Sequence, residues 1–305
     1  MSAPPVPSVP PGIAVAPGLP TLWPDVKRRG GVVGFLRRHP TVAVGGLLLL
    51  LMLLLAVFAP YLGTVDPTAL ATARRTRPPS IDNWFGTDML GRDIYSRVVY
   101  GARVSLTVGI SVAAFASIVG LAIGLFSGFI RVADAVLMRV MDGLMSIPPI
   151  LLAVALMALT RGSVTNVIIA ITIPEIPRVS RLVRGVVLTL REQPYVHAAI
   201  ASGTRTPMII LRHILPNTLA PMTVQATYIC ASAMIIEAIL SFIGAGTPPI
   251  TPSWGNIMAE GRALWQVKPF IIFFPAAFLS VTVLAVNLLG DGLRDALDPR
   301  LAKGL

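Results

Sequence analysis

The chain has 305 residues, of which 54% are hydrophobic and only 13% are charged. Soluble domains carry about 25% charged residues, so a chain this apolar needs lipid as its solvent. The 25 basic and 14 acidic residues leave a formal charge of +11, which in a membrane protein indicates cytoplasmic segments rich in Lys and Arg. Binding to nucleic acid is not expected, because no basic patch contains interleaved aromatic residues in a polar context.

The single cysteine limits the chemistry that the chain can carry. Cys230 lies inside an apolar run and is expected to be a small packing residue. One cysteine excludes an internal disulfide and a cysteine-based metal site. The chain also lacks HExxH and GxSxG motifs, so we predict no catalytic residues, no metal site and no obligatory cofactor.

The N-terminal region divides into two parts. Residues 1–24 are rich in proline and lack the pattern of a secretory signal, so they are predicted to form a disordered cytoplasmic tail. Residues 25–40 place basic residues around a few apolar ones, which is typical of a segment lying on an anionic membrane face. A solvated basic linker is the alternative.

The remaining hydropathy pattern predicts an all-α, polytopic membrane protein, with a transmembrane domain over residues 41–302. A spanning helix needs about 20 apolar residues. About six spans are expected, at residues 41–62, 104–130, 143–160, 162–178, 214–246 and 269–290. Prolines interrupt the fourth span, but membrane helices tolerate proline where neighbours satisfy the freed backbone groups.

The distribution of basic residues predicts the orientation. With six spans, most Lys and Arg lie inside when both termini are cytoplasmic. Residues 63–103 then form an external loop and residues 179–213 a cytoplasmic loop. A five-span alternative would place the basic C-terminal tail outside the cell.

The cytoplasmic loop and its junction with the fifth span, residues 195–217, show the most specific pattern of the chain. Small residues recur there on one side of a short predicted helix, where they permit close backbone approach. These residues are Ala198, Ala199, Ser202 and Gly203. Thr206 and Pro207 are expected to start a second short helix, with Thr206 as its N-cap. The alternative is an ordinary helical hairpin packed on its own bundle.

This loop resembles the EAA loop of ABC-importer permeases, which reads Glu-Ala-Ala, three residues, Gly, nine residues, Ile-x-Leu-Pro. The matching positions here are Ala198, Ala199, Gly203, Leu215 and Pro216. The chain departs from the pattern twice, with His197 in the place of the usual Glu and His213 in the place of Ile. In such importers this loop docks on the cytoplasmic ATPase. We therefore hypothesise that in this chain the small-residue face, rather than an acidic group, makes the contact with the ATPase.

Other stretches are similar to the "C-type" permease subunits of the dipeptide, oligopeptide and nickel branch of these importers. They are residues 84–93, 96–97, 101–103, 237–244, 251–255 and 287–300. The resemblance covers residues from about 33 to 302. It implies the type I ABC-importer permease fold in a bacterial cytoplasmic (inner) membrane.

The resemblance also implies partners. A homologous second permease subunit would enclose the pathway together with this chain, two cytoplasmic ATP-binding subunits would supply energy, and an extracytoplasmic solute-binding protein would deliver the solute. The chain has no GxxxxGK[ST] phosphate-binding loop of its own, so the cytoplasmic loop would transmit ATP-driven closure as a coupling helix. Peptides are the expected solute, and nickel or another small solute is the alternative.

An external cluster of charged residues allows two interpretations. Asp88, Arg92 and Asp93 could form a docking or gating surface for the binding protein. They could instead be local architecture, with Thr87 as an N-cap and the carboxylates paired to nearby arginines.

Two acidic residues lie in or near apolar runs. Glu237 is predicted to line the pathway or to pair with an arginine of a partner subunit, and Glu175 to reach the inner interface beside Arg178 and Arg181. A proton-coupled secondary carrier would need a relay of such residues, and only these two and Asp142 qualify.

Overall fold

The structure, a computed structural model, describes residues 32–297. The predicted Pro-rich tail, the start of the basic segment and the C-terminal residues from 298 onward lie outside this range. Within it the chain is helical and contains no β-strand, only an isolated bridge between Thr87 and Asp93. The all-α expectation is confirmed for the described residues.

The chain forms two compact units. The first ends at Arg38, and its described part is helix α1, Val32–Arg38, with two arginines in its last turn. The second begins at His39 and contains ten further α-helices between Pro40 and Leu297. These are α2 Pro40–Val57, α3 Ile94–Phe129, α4 Arg131–Met145, α5 Pro149–Ala158, α6 Val164–Arg191, α7 Pro194–Ala201, α8 Thr206–Ile209, α9 Leu215–Phe242, α10 Trp254–Gly261 and α11 Phe270–Leu297.

Among residues 32–297, four helical runs are long and apolar enough to cross a membrane: α2, α3, the run Thr206–Phe242 and α11. A fifth is counted if α4 and α5, which meet at 86°, form one broken span. Six spans were expected. Helix α6 takes the place of the fourth, but its second half carries basic residues and it does not reach the composition of a spanning helix.

Several helix boundaries differ from the expected spans. Helix α6 continues to Arg191 rather than ending at residue 178, so the first residues of the predicted cytoplasmic loop 179–213 are helical. Helix α3 begins at Ile94 rather than at residue 104, because the charged residues of its first turns are buried or paired instead of facing solvent. Predicted span three is not one helix, since the chain turns between Met145 and Pro149. Proline at the start of α5 cannot continue the hydrogen bonding of α4, which explains the bend.

The core between α3 and α6 depends on glycine. Val179, Val183 and Val187 of α6 lie directly over Gly120, Gly124 and Gly128 of α3. A Cβ atom added at any of these glycines would come within 2.6 Å of the facing valine. Small residues spaced four apart let membrane helices approach closely and pack through van der Waals contact.

A second core forms at the other end of α3. Ile94, Val98 and Ala102 pack there with Trp254 of α10 and Ile271 of α11, and all five are fully buried. The Trp254 indole Nε1 donates a hydrogen bond of 3.0 Å to the Val98 carbonyl. This bond satisfies the one polar group of a buried indole.

Candidate functional site

The predicted coupling loop is held to the bundle by three buried side chains. Val196 of α7, Ile209 of α8 and Ile214 of the π-helical turn Ile210–Ile214 are at most 2% exposed. The turn joins α8 directly to α9. The Tyr195 and His213 rings lie 6.2 Å apart and connect the two halves of the loop.

The residues of the predicted small-residue face lie mostly on the outside. His197, Ala198, Ser202 and Gly203 are exposed, whereas Ala199 is half-buried against the bundle. Around them lie exposed apolar side chains that no part of the described structure covers: Tyr195, Ile200, Met208 and Leu211. The loop therefore presents a partly apolar outer surface.

Gly203 ends helix α7 in the left-handed region, with φ +75°. The Gly203 amide donates to the Ile200 carbonyl at 2.9 Å, and the Thr204 amide donates to the Ala199 carbonyl at 3.1 Å. Glycine is favoured at this position because it has no Cβ to oppose a positive φ. A Cβ here would meet no atom of residues 32–297 within 4 Å, so none of these residues requires the small size of Gly203.

The start of the second loop helix differs from the prediction. Helix α8 begins at Thr206 with Arg205 at the N-cap position, so Thr206 is not the cap, and no side chain caps this end. Pro207 lies in the first turn as expected. Leu215 is half-buried and Pro216 is exposed at the start of α9. The first turn of a helix tolerates proline, which has no backbone amide to donate.

The external charged residues form a buried ion-pair network. The Asp88 carboxylate accepts from Arg92 Nε at 2.7 Å and from Arg97 Nη1 at 2.6 Å. Glu260 of α10 pairs with the same two arginines at 2.5 Å each. Asp88 and Arg97 are completely buried, so this geometry favours the architectural interpretation over a docking surface. Sequence reasoning missed Glu260, which lies far away along the chain.

Asp93, rather than Thr87, is the N-cap of helix α3. Its carboxylate accepts from the Ser96 amide at 2.8 Å and from Asn83 Nδ2 at 2.9 Å. The Thr87 hydroxyl instead accepts from the Arg77 amide and donates to the Arg74 carbonyl, so it closes the preceding loop. These hydrogen bonds connect both residues to their own chain, which favours the architectural interpretation.

Glu237 is fully buried in α9 and faces hydroxyl groups of its own chain. Its carboxylate accepts from Ser241 Oγ at 2.8 Å and from Ser105 Oγ at 3.4 Å. Ser241 in turn contacts Thr247, and Thr247 accepts from Asn256 Nδ2. Within residues 32–297 Glu237 has no ion pair, and this polar cluster ties the end of α9 to α3 and α10.

Glu175 is also buried, with 1% of its side chain exposed. It lies 3.3 Å from Arg178, as expected, but Arg181 pairs with Asp142 of α4 instead. Arg178 stacks over the Tyr228 ring at 5.4 Å. Among the described residues no group of three or more His, Cys, Asp or Glu side chains is placed to hold a metal ion.

The long apolar helices, packed around a common core, and the exposed α7–α8 loop define a multi-pass membrane protein. Residues 117–303 match the family model "binding-protein-dependent transport system inner membrane component". Residues 22–79 match the model of the N-terminal transmembrane domain of oligopeptide transport permease C.

Curated relatives share most of their length with this chain. A "probable peptide ABC transporter permease protein" of Sinorhizobium fredii is 53% identical over 269 residues, covering 88% of this chain and 92% of the relative. The oligopeptide transport system permease protein of Bacillus subtilis is 37% identical over 284 residues, covering 93% and 91%.

Solved structures show the same fold. An inward-facing structure of the MetNI methionine ABC transporter has a TM-score of 0.54 and 20% identity, and the match covers 67% of this chain and 98% of that one. The chain belongs to the family of inner-membrane components of binding-protein-dependent transport systems and has the type I ABC-importer permease fold. It is a multi-pass, non-catalytic subunit of the bacterial inner membrane, and separate subunits hydrolyse ATP.

Proposed function

We propose that this subunit, paired with a homologous permease, forms the pathway of an ATP-driven peptide importer. Two cytoplasmic ATP-binding subunits and an extracytoplasmic solute-binding protein complete the transporter. Relatives at 37–53% identity whose names specify peptide transport support peptides as the solute. In this arrangement both termini and the α7–α8 loop lie in the cytoplasm, consistent with the basic residues of these segments.

The observation that carries the coupling role is the outer surface of the α7–α8 loop. The buried side chains of Val196, Ile209 and Ile214 anchor the loop to the helical bundle. Ala198 and Gly203 are exposed and lie among exposed apolar side chains. A rigid anchored segment with a small-residue face suits transmission of rigid-body motion between two states. The ATPase would press on this face when its nucleotide sites close.

Substitutions at Gly203 test this role. Asn and Asp tolerate a positive φ better than other non-glycine residues, and a Cβ added here would lie within 4 Å of no described residue. Gly203→Asn and Gly203→Asp should therefore leave insertion and stability intact while lowering ATP-driven uptake at least tenfold, because the added side chain separates the loop from the ATPase. Uptake of radiolabelled peptide into proteoliposomes containing the whole complex measures this.

Gly185→Ala is the control, since a Cβ added at Gly185 of α6 would likewise lie within 4 Å of no described residue. Wild-type uptake by both Gly203 variants would refute the coupling role. Uphill transport by the isolated subunit on an ion gradient, without ATP, would refute the proposed function as a whole.

A further inference from the structure

An open groove of about 570 Å³ lies between the last turns of α3 and the segment that joins the α7–α8 loop to α9. One wall is formed by residues of α3 between Ile118 and Ile130, and the other by α8, the π-helical turn and Leu215. Among the described residues that line the groove, only Thr206 is polar. Ile118 and Phe126 are 65% and 55% exposed, so the described chain leaves the apolar wall of α3 uncovered.

Three exposed arginines, Arg131, Arg205 and Arg212, border this groove. Each is the immediate neighbour along the chain of a residue that lines it. Among residues 32–297, none of the three side chains makes an ion pair, a hydrogen bond or an aromatic contact. By contrast, every arginine of the neighbouring helix α6 forms an ion pair with an acidic side chain. The groove therefore combines an uncovered apolar wall with positive charge that the described chain does not neutralise.

We propose that this groove binds an anionic phospholipid, with an acyl chain in the groove and the phosphate of the headgroup at the three arginines. The inference rests on the proposed function only in placing this end of the bundle at the cytoplasmic leaflet. The planar guanidinium group donates two parallel hydrogen bonds to phosphate oxygens, which favours arginine at phosphate sites. Basic pockets between membrane helices on the cytoplasmic side are typical sites for anionic headgroups.

The charge of the rim decides which occupant fits. A zwitterionic lipid would bring a further cation to three arginines, whereas an anionic lipid brings net negative charge to them. An apolar helix of another subunit would cover the guanidinium groups without pairing them, and burying unpaired charge is costly. Charge complementarity therefore favours an anionic lipid over both alternatives.

The position of the groove links the lipid to the proposed coupling loop. Helix α8 and the π-helical turn Ile210–Ile214 belong to one of its walls. Such π-helical turns are rare and are frequently found at functional sites. An acyl chain in the groove would contact the segment through which the loop is joined to α9, and would brace this segment from the membrane side.

Lipid titration of the complete transporter tests the site. The delipidated complex in detergent is titrated with phosphatidylglycerol, or with phosphatidylcholine carrying the same acyl chains, and native mass spectrometry counts the bound lipids. Phosphatidylglycerol should bind at least tenfold more tightly, and this comparison requires no substitution. Replacing the three arginines together by glutamine should lower the affinity for phosphatidylglycerol at least tenfold, because each basic residue near an anionic headgroup contributes about fivefold. The matched control removes the same charge from exposed arginines away from the groove: Arg74→Gln, Arg75→Gln and Arg161→Gln.

A second variant tests the groove without changing any charge. Ala122 of α3 is exposed and lines the groove, so Ala122→Trp places an indole where the acyl chain would lie. This variant should lower the affinity for phosphatidylglycerol several-fold. Ala114→Trp is the matched control, since Ala114 is exposed on the same helix but does not line the groove, and it should bind the lipid like the wild type.

Three results would overturn the inference: equal affinity of the wild-type complex for the two lipids, unchanged lipid binding by the glutamine or Ala122→Trp variant, or loss of a subunit when either variant is purified. The last would assign the groove to a contact between subunits. Peptide uptake by the wild-type complex is measured separately. Import of peptides would leave the proposed function standing in each of these cases, and selective lipid binding without any peptide import would refute the proposed function alone.

Discussion

The contact between α3 and α6 predicts a large effect from a single methyl group. Gly124 faces Val183, and a Cβ added at this glycine would lie 2.6 Å from the Val183 Cβ and 2.8 Å from the Ser180 carbonyl oxygen. Both atoms are held by the backbone of α6 and cannot rotate away. Gly124→Ala must therefore push the two helices apart or distort one of them.

The expected cost combines two opposing effects. Alanine is better than glycine within a helix by about 0.5–1 kcal/mol. Overpacking a well-filled core costs about 1–3 kcal/mol, and separation of the helices would also weaken the neighbouring contacts at Gly120 and Gly128. Gly124→Ala should thus be destabilising by about 1–2 kcal/mol. Gly185→Ala, where the added Cβ would lie within 4 Å of no described residue packed against the helix, should be stabilising by about 0.5–1 kcal/mol.

Thermal unfolding in mild detergent, followed by fluorescence-detected size exclusion, compares the two variants. At roughly 2 °C per kcal/mol for a chain of this size, their melting temperatures should differ by about 3–6 °C. Both proteins should still insert, because neither substitution adds charge. If Gly124→Ala melts at or above the temperature of Gly185→Ala, the tight packing of α3 against α6 is wrong.

The external ion network and its neighbour provide two more predictions. Asp88→Asn should be destabilising by about 3–5 kcal/mol, because it leaves buried guanidinium charge incompletely paired, whereas Glu260→Gln should cost less since Glu260 is 23% exposed. The reverse order of melting temperatures would contradict this network. Trp254→Phe should cost about 1–3 kcal/mol in unfolding free energy, because it removes the indole hydrogen bond to the Val98 carbonyl and leaves a void where the buried indole packed. An unchanged melting temperature would show that the hydrogen bond does not matter.

Local patterns were sufficient to identify the class of protein and its most specific loop. Long apolar runs identify membrane helices because lipid demands uncharged side chains over about 20 residues. The offsets of Ala198, Ala199, Gly203 and Pro216 are likewise properties of neighbouring residues along the chain. The ends of helices α7 and α9 depend on proline and on positive φ at glycine, which are also local.

The partners of the charged residues required the tertiary structure. Nothing near Asp88 in the chain indicates Glu260, because hydropathy and spacing do not report which distant helices meet. The same holds for the start of α3 at Ile94: Arg97 looks like a loop residue by charge and becomes a buried helical one through carboxylates on other segments. The ion pair between Arg181 of α6 and Asp142 of α4 is equally a product of packing, since it needs both helices in place. The sequence shows which residues are charged, but only the fold determines which partners neutralise them.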